Sequence, residues 1–335
     1  MHVDYKLTLR RLTDSLLQTD ASYQQMFEAA HELYRLLSAA AWMHPDDPKN
    51  RTDIYLPEGK AIAPAWAAMC IKDFYRTRQF LRGMVSAIQT MQPEVTDGPV
   101  HVVYAGTGPF ATLAMPLTTV FSPDEVQFTL LEINPESVRM LRNVLKVFQA
   151  EAYVRKIELT DATTYQATQP IHIVVTETMQ QALQDEPQVA ITRNLAPQLA
   201  PGGVLIPQKV SISAGLFNIN NLLEINTSSP AYRLLCPVYE LSARSAETTA
   251  PYPEVLVDIP ENFEAGFSQF CLFTEIQVFE SIYLYLSESG LTQPKILMQA
   301  GPGGKFGAQK VGIRYVLQKK PGFEIRLLAS LNPPK

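Results

Sequence analysis

Val100–Pro116 reads VHVVYAGTGPFATLAMP, and Phe128–Asn134 reads FTLLEIN. The first apolar run ends in a glycine turn, Gly106-Thr107-Gly108. A proline then opens an apolar segment that the pattern makes a helix over Phe110–Val120. The second run ends in Glu132. This is how a nucleotide-like cofactor is held. Glycines let backbone approach the ligand, and an acidic residue ending the next strand accepts hydrogen bonds from ribose hydroxyls.

Outward from this core the chain divides into three segments. Residues 99–207 alternate apolar runs (HVVYA, FTLLEI, VRKIEL, IHIVVTE, VLIP) with helix candidates at Phe110–Val120, Glu136–Ala150 and Gln188–Leu199. Strands alternating with helices predict a parallel sheet covered on both faces. Residues 1–98 read as helices, the longest over Pro64–Met91. Residues 208–335 change character: KVSISAGL, EVLVDI, EIQVFESIYLYLS, KILMQA, QKVGIRYVLQK and FEIRLLAS read as strands, and GPGGK and KKPG as hairpin turns. The predicted fold is α/β: a Rossmann-like core with a helical N-terminal extension and an antiparallel β-rich C-terminal domain.

Composition narrows the function classes. The chain has 335 residues, 46% hydrophobic and 18% charged, as in a globular protein with more than one packed unit. A net charge of −5 argues against a nucleic-acid partner. No run approaches the ~18–20 apolar residues of a membrane helix, and the charged start MHVDYKLTLRRL lacks the apolar centre of a signal peptide. Cys70, Cys236 and Cys271 are far apart, as in a reducing compartment, so the expected location is cytoplasmic. His2, His31, His44, His101 and His172 are scattered with no ligand spacing, and no metal is expected.

GTGPFA can be read two ways. As G-x-G-x-x-A it fits a dinucleotide fingerprint. As Gly-x-Gly after a first strand it fits an S-adenosylmethionine site. Pro109 removes one donor N–H where a pyrophosphate would sit, which disfavours the dinucleotide. The order that follows separates them. Glu132 ends the second strand, Asp161-Ala162 follows the third, and LAPGGVLIP joins a helix to a last strand. With these, the chain resembles the class I S-adenosylmethionine-dependent methyltransferases. That resemblance assigns cofactor contacts to Ala105, Gly106, Thr107, Gly108, Glu132, Ile133, Asp161 and Ala162. Tyr104 stands where an acidic residue is frequent in the family, and Phe110 where a third glycine is frequent.

Two more stretches resemble the protein arginine methyltransferases. Cys70–Phe80, CIKDFYRTRQF, carries Asp73, Arg76, Thr77 and Phe80 at i, i+3, i+4 and i+7, so they are expected to share one helix face. By resemblance, Arg76 pairs with the methionyl carboxylate of the cofactor, a task suited to its planar fork. The bland alternative is a solvated Asp–Arg pair. Val174–Glu186, VVTETMQQALQDE, holds Glu177, Met179 and Glu186 at the family spacing. Nine residues on one helix would put the glutamates on opposite faces, so they converge only if the chain loops back. The resemblance makes Glu177 and Glu186 catalytic, with Glu177 also near the cofactor. Glu186 otherwise reads as an exposed residue at a helix start.

The likeness fails where the acceptor would sit. The family's Thr-His-Trp loop is absent: no histidine follows His172 and no tryptophan follows Trp66. Asn218–Tyr252 is unlike a dimerisation arm, although the family resemblance implies a homodimer. These departures point to a small-molecule acceptor, and an aromatic-rich lid would suit a flat, aromatic or indole-like nucleophile. Tyr55, Trp66, Tyr75 and Met179 are substrate-contact candidates, and Tyr55–Ala63 is a candidate lid. Guanidine or arginine methylation is the alternative. An NAD(P)-dependent oxidoreductase and an inactive methyltransferase fold acting as a binding module are the other classes carried.

Overall fold

The computed structural model describes residues 4–220, 230–247, 252–261, 263, 266–301 and 305–328. Two helices open the chain, α1 (Tyr5–Leu17) and α2 (Tyr23–Ala41). Asp4 caps α1, and Ser22 with Gln25 forms a capping box on α2. A short hairpin, β1 (Ile54–Leu56) and β2 (Gly59–Ala61), leads to α3 (Pro64–Met69) and α4 (Phe74–Met91). The single helix expected over Pro64–Met91 is therefore broken. Asp73 leaves the helical region (φ −74°, ψ 80°) and caps α4, accepting from the Arg76 N–H. It stands outside the helix that carries Arg76, Thr77 and Phe80.

The core segment follows: β3 (Val100–Ala105), β4 (Val126–Glu132), α5 (Pro135–Phe148), β5 (Val154–Leu159), β6 (Ile171–Thr176), α6 (Gln188–Leu195) and β7 (Leu199–Ile206). The five strands form one sheet, order β5-β4-β3-β6-β7, parallel at every pair. The helix expected at Phe110–Val120 is replaced by turns and a 3₁₀ segment, Pro116–Thr119. Ala111 adopts a left-handed φ of 45°, and Pro116 has no N–H to continue a helix.

The last segment is antiparallel. It contains β8 (Lys209–Phe217), β9 (Tyr232–Ser242), β10 (Val255–Asp258), β11 (Gln269–Phe279), β12 (Ile282–Leu284), β13 (Lys295–Gln299), β14 (Lys310–Val316) and β15 (Gly322–Leu328). One sheet runs β12-β11-β8-β9 with β13 also on β11, and a second runs β10-β14-β15. β9 is a strand the sequence reading passed over. Lys319–Gly322 does turn β14 into β15, whereas β13 pairs with β11 and not with β14. Across GPGGK the Gly301 N–H donates to the Lys305 carbonyl at 2.8 Å, and residues 302–304 lie outside the described residues.

The core places the site. Val100, Val102 and Tyr104 of β3 join a large apolar cluster, while Val103 and Ala105 point into a smaller one on the other face. The large cluster runs unbroken from Leu33 and Leu37 through Phe80 and Met84 to Val278 and Tyr315. At the crossing of α4 with β11, a Cβ on Gly83 would come 2.5 Å from Val278 Cγ1, so glycine permits the close approach. The C-terminal ends of β3, β4 and β6 open into a crevice where the strand order reverses, the place such sheets bind ligands.

Candidate functional site

The crevice holds a cavity of about 580 Å³, within the range of small-ligand sites. Its floor is the glycine turn. Gly106 and Gly108 have φ of +72° and +61°, a region that L side chains avoid. A Cβ on Gly106 would lie 2.2 Å from Thr178 Cγ2, and one on Gly108 3.3 Å from the Ala67 Cβ of α3. The turn is therefore roofed by α3 and by the segment after β6.

Glu132 braces the turn. Its Oε2 accepts from the Gly108 N–H at 2.7 Å and its Oε1 from the Asn134 N–H at 2.8 Å. Burial raises its carboxyl pKa, and these donors pull it back. Two oriented oxygens remain able to accept further bonds, as ribose hydroxyls require. Asp161 reaches the cavity from the turn after β5, its Oδ1 accepting from the Thr163 N–H and hydroxyl. Ile133 and Ala162 stand beside these two carboxylates.

Arg76, in the first turn of α4, forms an ion pair with Glu177 at the end of β6. Both side chains are nearly buried, 13% and 10% exposed, so this is no solvated surface pair. Glu177 Oε1 is buried with no hydrogen-bond partner among the described residues. A buried carboxylate oxygen without a partner is costly.

After Glu177 the chain turns back on itself. Ala182, Leu183 and Asp185 all have left-handed φ, 53°, 52° and 64°. The result is that Glu177 and Glu186 line the same cavity. Glu186 is 7% exposed. Burial pushes its carboxyl up to about 7, against the opposing fields of Arg76 and Lys60 and a bond from Gln180; Asp53 adds to the rise. A buried acid poised near neutrality can hold or release a proton.

The structure also separates what the sequence grouped. Trp66, 52% exposed, and buried Met179 line the cavity. Tyr55 and Tyr75 do not. Tyr55 points outward, 66% exposed, with Lys319 Nζ 5.9 Å from its ring. Tyr75 lies 6.4 Å edge-on to Phe74. Ala105 is fully buried in the smaller apolar cluster, behind the cavity wall. The candidate lid is the β1–β2 hairpin, docked on the glutamate loop: Lys60 N–H donates to the Asp185 carbonyl at 2.9 Å, and a Cβ on Gly59 would come 2.8 Å from Pro187 N.

Several lining residues escaped the sequence reading. Lys60 pairs with Asp53 at 2.8 Å across the hairpin, and both face the cavity. Tyr104 lines it too, its phenol pKa raised by complete burial. Gly290, Leu291 and Gln293 enter from the β-rich segment. That turn is held by Asp73, whose Oδ2 accepts from the Ser289 hydroxyl at 2.7 Å and the Gly290 N–H at 2.9 Å. The double duty of Asp73, capping α4 and holding a turn over 200 residues away, leaves no local trace in the chain.

Among the described residues no helix is long and apolar enough to cross a membrane, and no cluster of three His, Cys, Asp or Glu residues could hold a metal. No protein-family model and no curated protein matches the chain. Solved structures do. The Trypanosoma brucei PRMT1 enzyme–prozyme heterotetrameric complex with AdoHcy superposes with a TM-score of 0.52, covering 78% of this chain and 93% of that one at 10% identity. Arabidopsis thaliana protein arginine methyltransferase 10, in a uniquely open conformation, gives 0.55, covering 79% and 93% at 12% identity. The fold shared with these two structures is a Rossmann-like core with a helical N-terminal extension and a β-rich C-terminal region.

Proposed function

We propose that this chain is an S-adenosylmethionine-dependent methyltransferase. The observation that carries the reading is the cavity itself: the glycine turn, Glu132, Asp161, Arg76 and the Glu177–Glu186 pair face one space at the switch point of a parallel sheet. The donor set fits the cofactor. Glu132 suits ribose hydroxyls, Asp161 an adenine amino group and Arg76 a carboxylate, while Gly106 and Gly108 leave backbone surface where a Cβ would intrude. When bound, S-adenosylmethionine supplies an electrophilic methyl on a sulfonium.

The chain's own residues then act by positioning. Glu177, in the cavity wall, accepts a hydrogen bond from the acceptor and can take its proton. Glu186 orients the acceptor from the facing side. Trp66, Met179 and Leu291 narrow the space beside them and displace water.

The acceptor we favour is a small molecule. Lys60, Lys295 and Lys320 flank the glutamate loop: Lys60 sits over Asp185, Lys295 Nζ meets Gln184 Oε1, and Lys320 Nζ lies 4.0 Å from Asp185. Lys60 and Lys320 are paired with Asp53 and Asp185, so this rim carries little net charge; the small-molecule reading rests on the absence of a Thr-His-Trp loop from the sequence. One observation favours the alternative, a guanidine acceptor: Glu177 already holds the guanidinium of Arg76.

Calorimetry tests the reading. Micromolar binding of S-adenosylhomocysteine without NAD binding is the expected result, and failure of S-adenosylhomocysteine to bind would overturn it. Transfer of labelled methyl from S-adenosylmethionine, assayed with indole-like compounds and with guanidino compounds, then separates the acceptor classes and exposes an inactive binding module.

A further inference from the structure

The β-rich segment does more than wall the cavity. Residues Ala182–Asp185 form the bend that returns Glu186 toward Glu177, and three of the four are non-glycine residues in the left-handed region. Each such residue is unfavourable by itself and persists where surroundings over-determine it. The surroundings do so here residue by residue. Ala182 N–H donates to Thr274 Oγ1 of β11 at 3.0 Å. The Leu183 carbonyl accepts from the Tyr315 hydroxyl of β14 at 2.9 Å. The Gln184 amide oxygen accepts from Lys295 Nζ of β13. Asp185 N–H donates to the Pro321 carbonyl at 2.9 Å, in the turn before β15.

Among these anchors Tyr315 is the best placed to set the geometry. It is 2% exposed. Its ring is fixed on three sides, stacked 5.0 Å from Tyr239 and edge-on to Phe323 at 5.1 Å and Tyr252 at 5.7 Å. A phenol so enclosed cannot swing to another partner, and its hydroxyl is spent on the Leu183 carbonyl.

We infer that Tyr315 is a positioning residue: through the Leu183 carbonyl it holds the bend that sets Glu186 opposite Glu177. The inference rests on the proposed role of the two glutamates in the same cavity. Tyr315 itself touches no reacting group. The groups facing Glu186 are Arg76 from α4, Lys60 and Asp53 from the hairpin, and Gln180 from the loop itself. Release of the Leu183 carbonyl lets the bend relax and carries Glu186 away from these neighbours toward water.

The test is Tyr315→Phe, which deletes the hydroxyl and keeps the ring. The readout is the titration of the Glu186 carboxyl, followed by ¹³C NMR in the full chain and assigned by the signal that Glu186→Gln removes. Wild type is expected to titrate near neutrality, and Tyr315→Phe to titrate at least one unit lower, with S-adenosylhomocysteine binding changed less than threefold. Tyr252→Phe deletes a hydroxyl from the same aromatic cluster without touching Leu183, and should leave the titration in place. An unchanged titration in Tyr315→Phe, an equal shift in Tyr252→Phe, or a wild-type carboxyl titrating at the ordinary value would each overturn the inference. Loss of S-adenosylhomocysteine binding by wild type would instead overturn the methyltransferase reading and leave the titration result standing.

Discussion

Arg76 and Glu177 satisfy each other across the mouth of β6, each nearly buried, and one oxygen of the glutamate is left over. A guanidinium has five N–H donors and can serve two carboxylates at once. The pair holds both side chains in the cavity wall, with Glu177 Oε1 enclosed and without a hydrogen-bond partner among the described residues. Removing either partner leaves the other charge buried and uncompensated.

Arg76→Ala is accordingly expected to weaken S-adenosylhomocysteine binding by about 1.5–3 kcal/mol, the scale of a hydrogen bond to a charged group. Calorimetry on the variant checks this. A dissociation constant equal to that of wild type would show that Arg76 serves only to neutralise Glu177.

Glu186 makes stability depend on pH with a definite sign. Its folded pKa is raised, to about 7 from an ordinary 4.5. The folded state then binds the proton more tightly than the unfolded chain. Stability falls as pH rises from about 4.5 through about 7, by at most about 3 kcal/mol. Glu186→Gln should remove this slope and so gain on wild type at pH 8 but not at pH 4. Urea unfolding midpoints at both values decide it; parallel curves for the two proteins would refute the assignment.

Gly106→Ala meets two obstacles, a left-handed φ and Thr178 Cγ2 at 2.2 Å. We expect a loss of about 1–3 kcal/mol in stability and no measurable S-adenosylhomocysteine binding. Adding Thr178→Ser deletes the clashing methyl and should recover part of the stability, leaving the backbone strain. Thermal melts of the single and double variants measure the two parts; no recovery in the double variant would place the whole cost in the backbone.

The parts of the fold legible in the chain were those fixed by burial alone. Parallel strands covered on both faces are unbroken apolar runs, so HVVYA and IHIVVTE announce themselves. β9 did not, because it lies at a sheet edge with Pro237 inside it beside a register shift, a position where proline is tolerated and alternation fails. Phe110–Val120 is apolar enough for a helix, and nothing in the apolar pattern reports the left-handed Ala111. In the site, Gly106, Gly108, Glu132 and Asp161 stand at strand ends where the pattern expects them, and all four line the cavity. Tyr55 and Tyr75 were misplaced because side-chain direction follows from the hairpin at Gly59 and the break at Asp73. Lys60 and Tyr315 reach the cavity or its loop through contacts between distant segments, which no local pattern encodes.

The unbroken core from Leu33 to Tyr315 also limits how this molecule can be re-engineered. A binding region that ended at its own hydrophobic boundary could be exchanged as a cassette for one with another preference. Here residues beyond 208 share their interior with α4, and their strands hold the bend carrying Glu186. Transplanting them would strand apolar surface on both donor and recipient. Altering the shape of the cavity must therefore proceed by point changes among its lining residues, such as Trp66, Met179, Leu291 and Gln293, inside a frame kept whole.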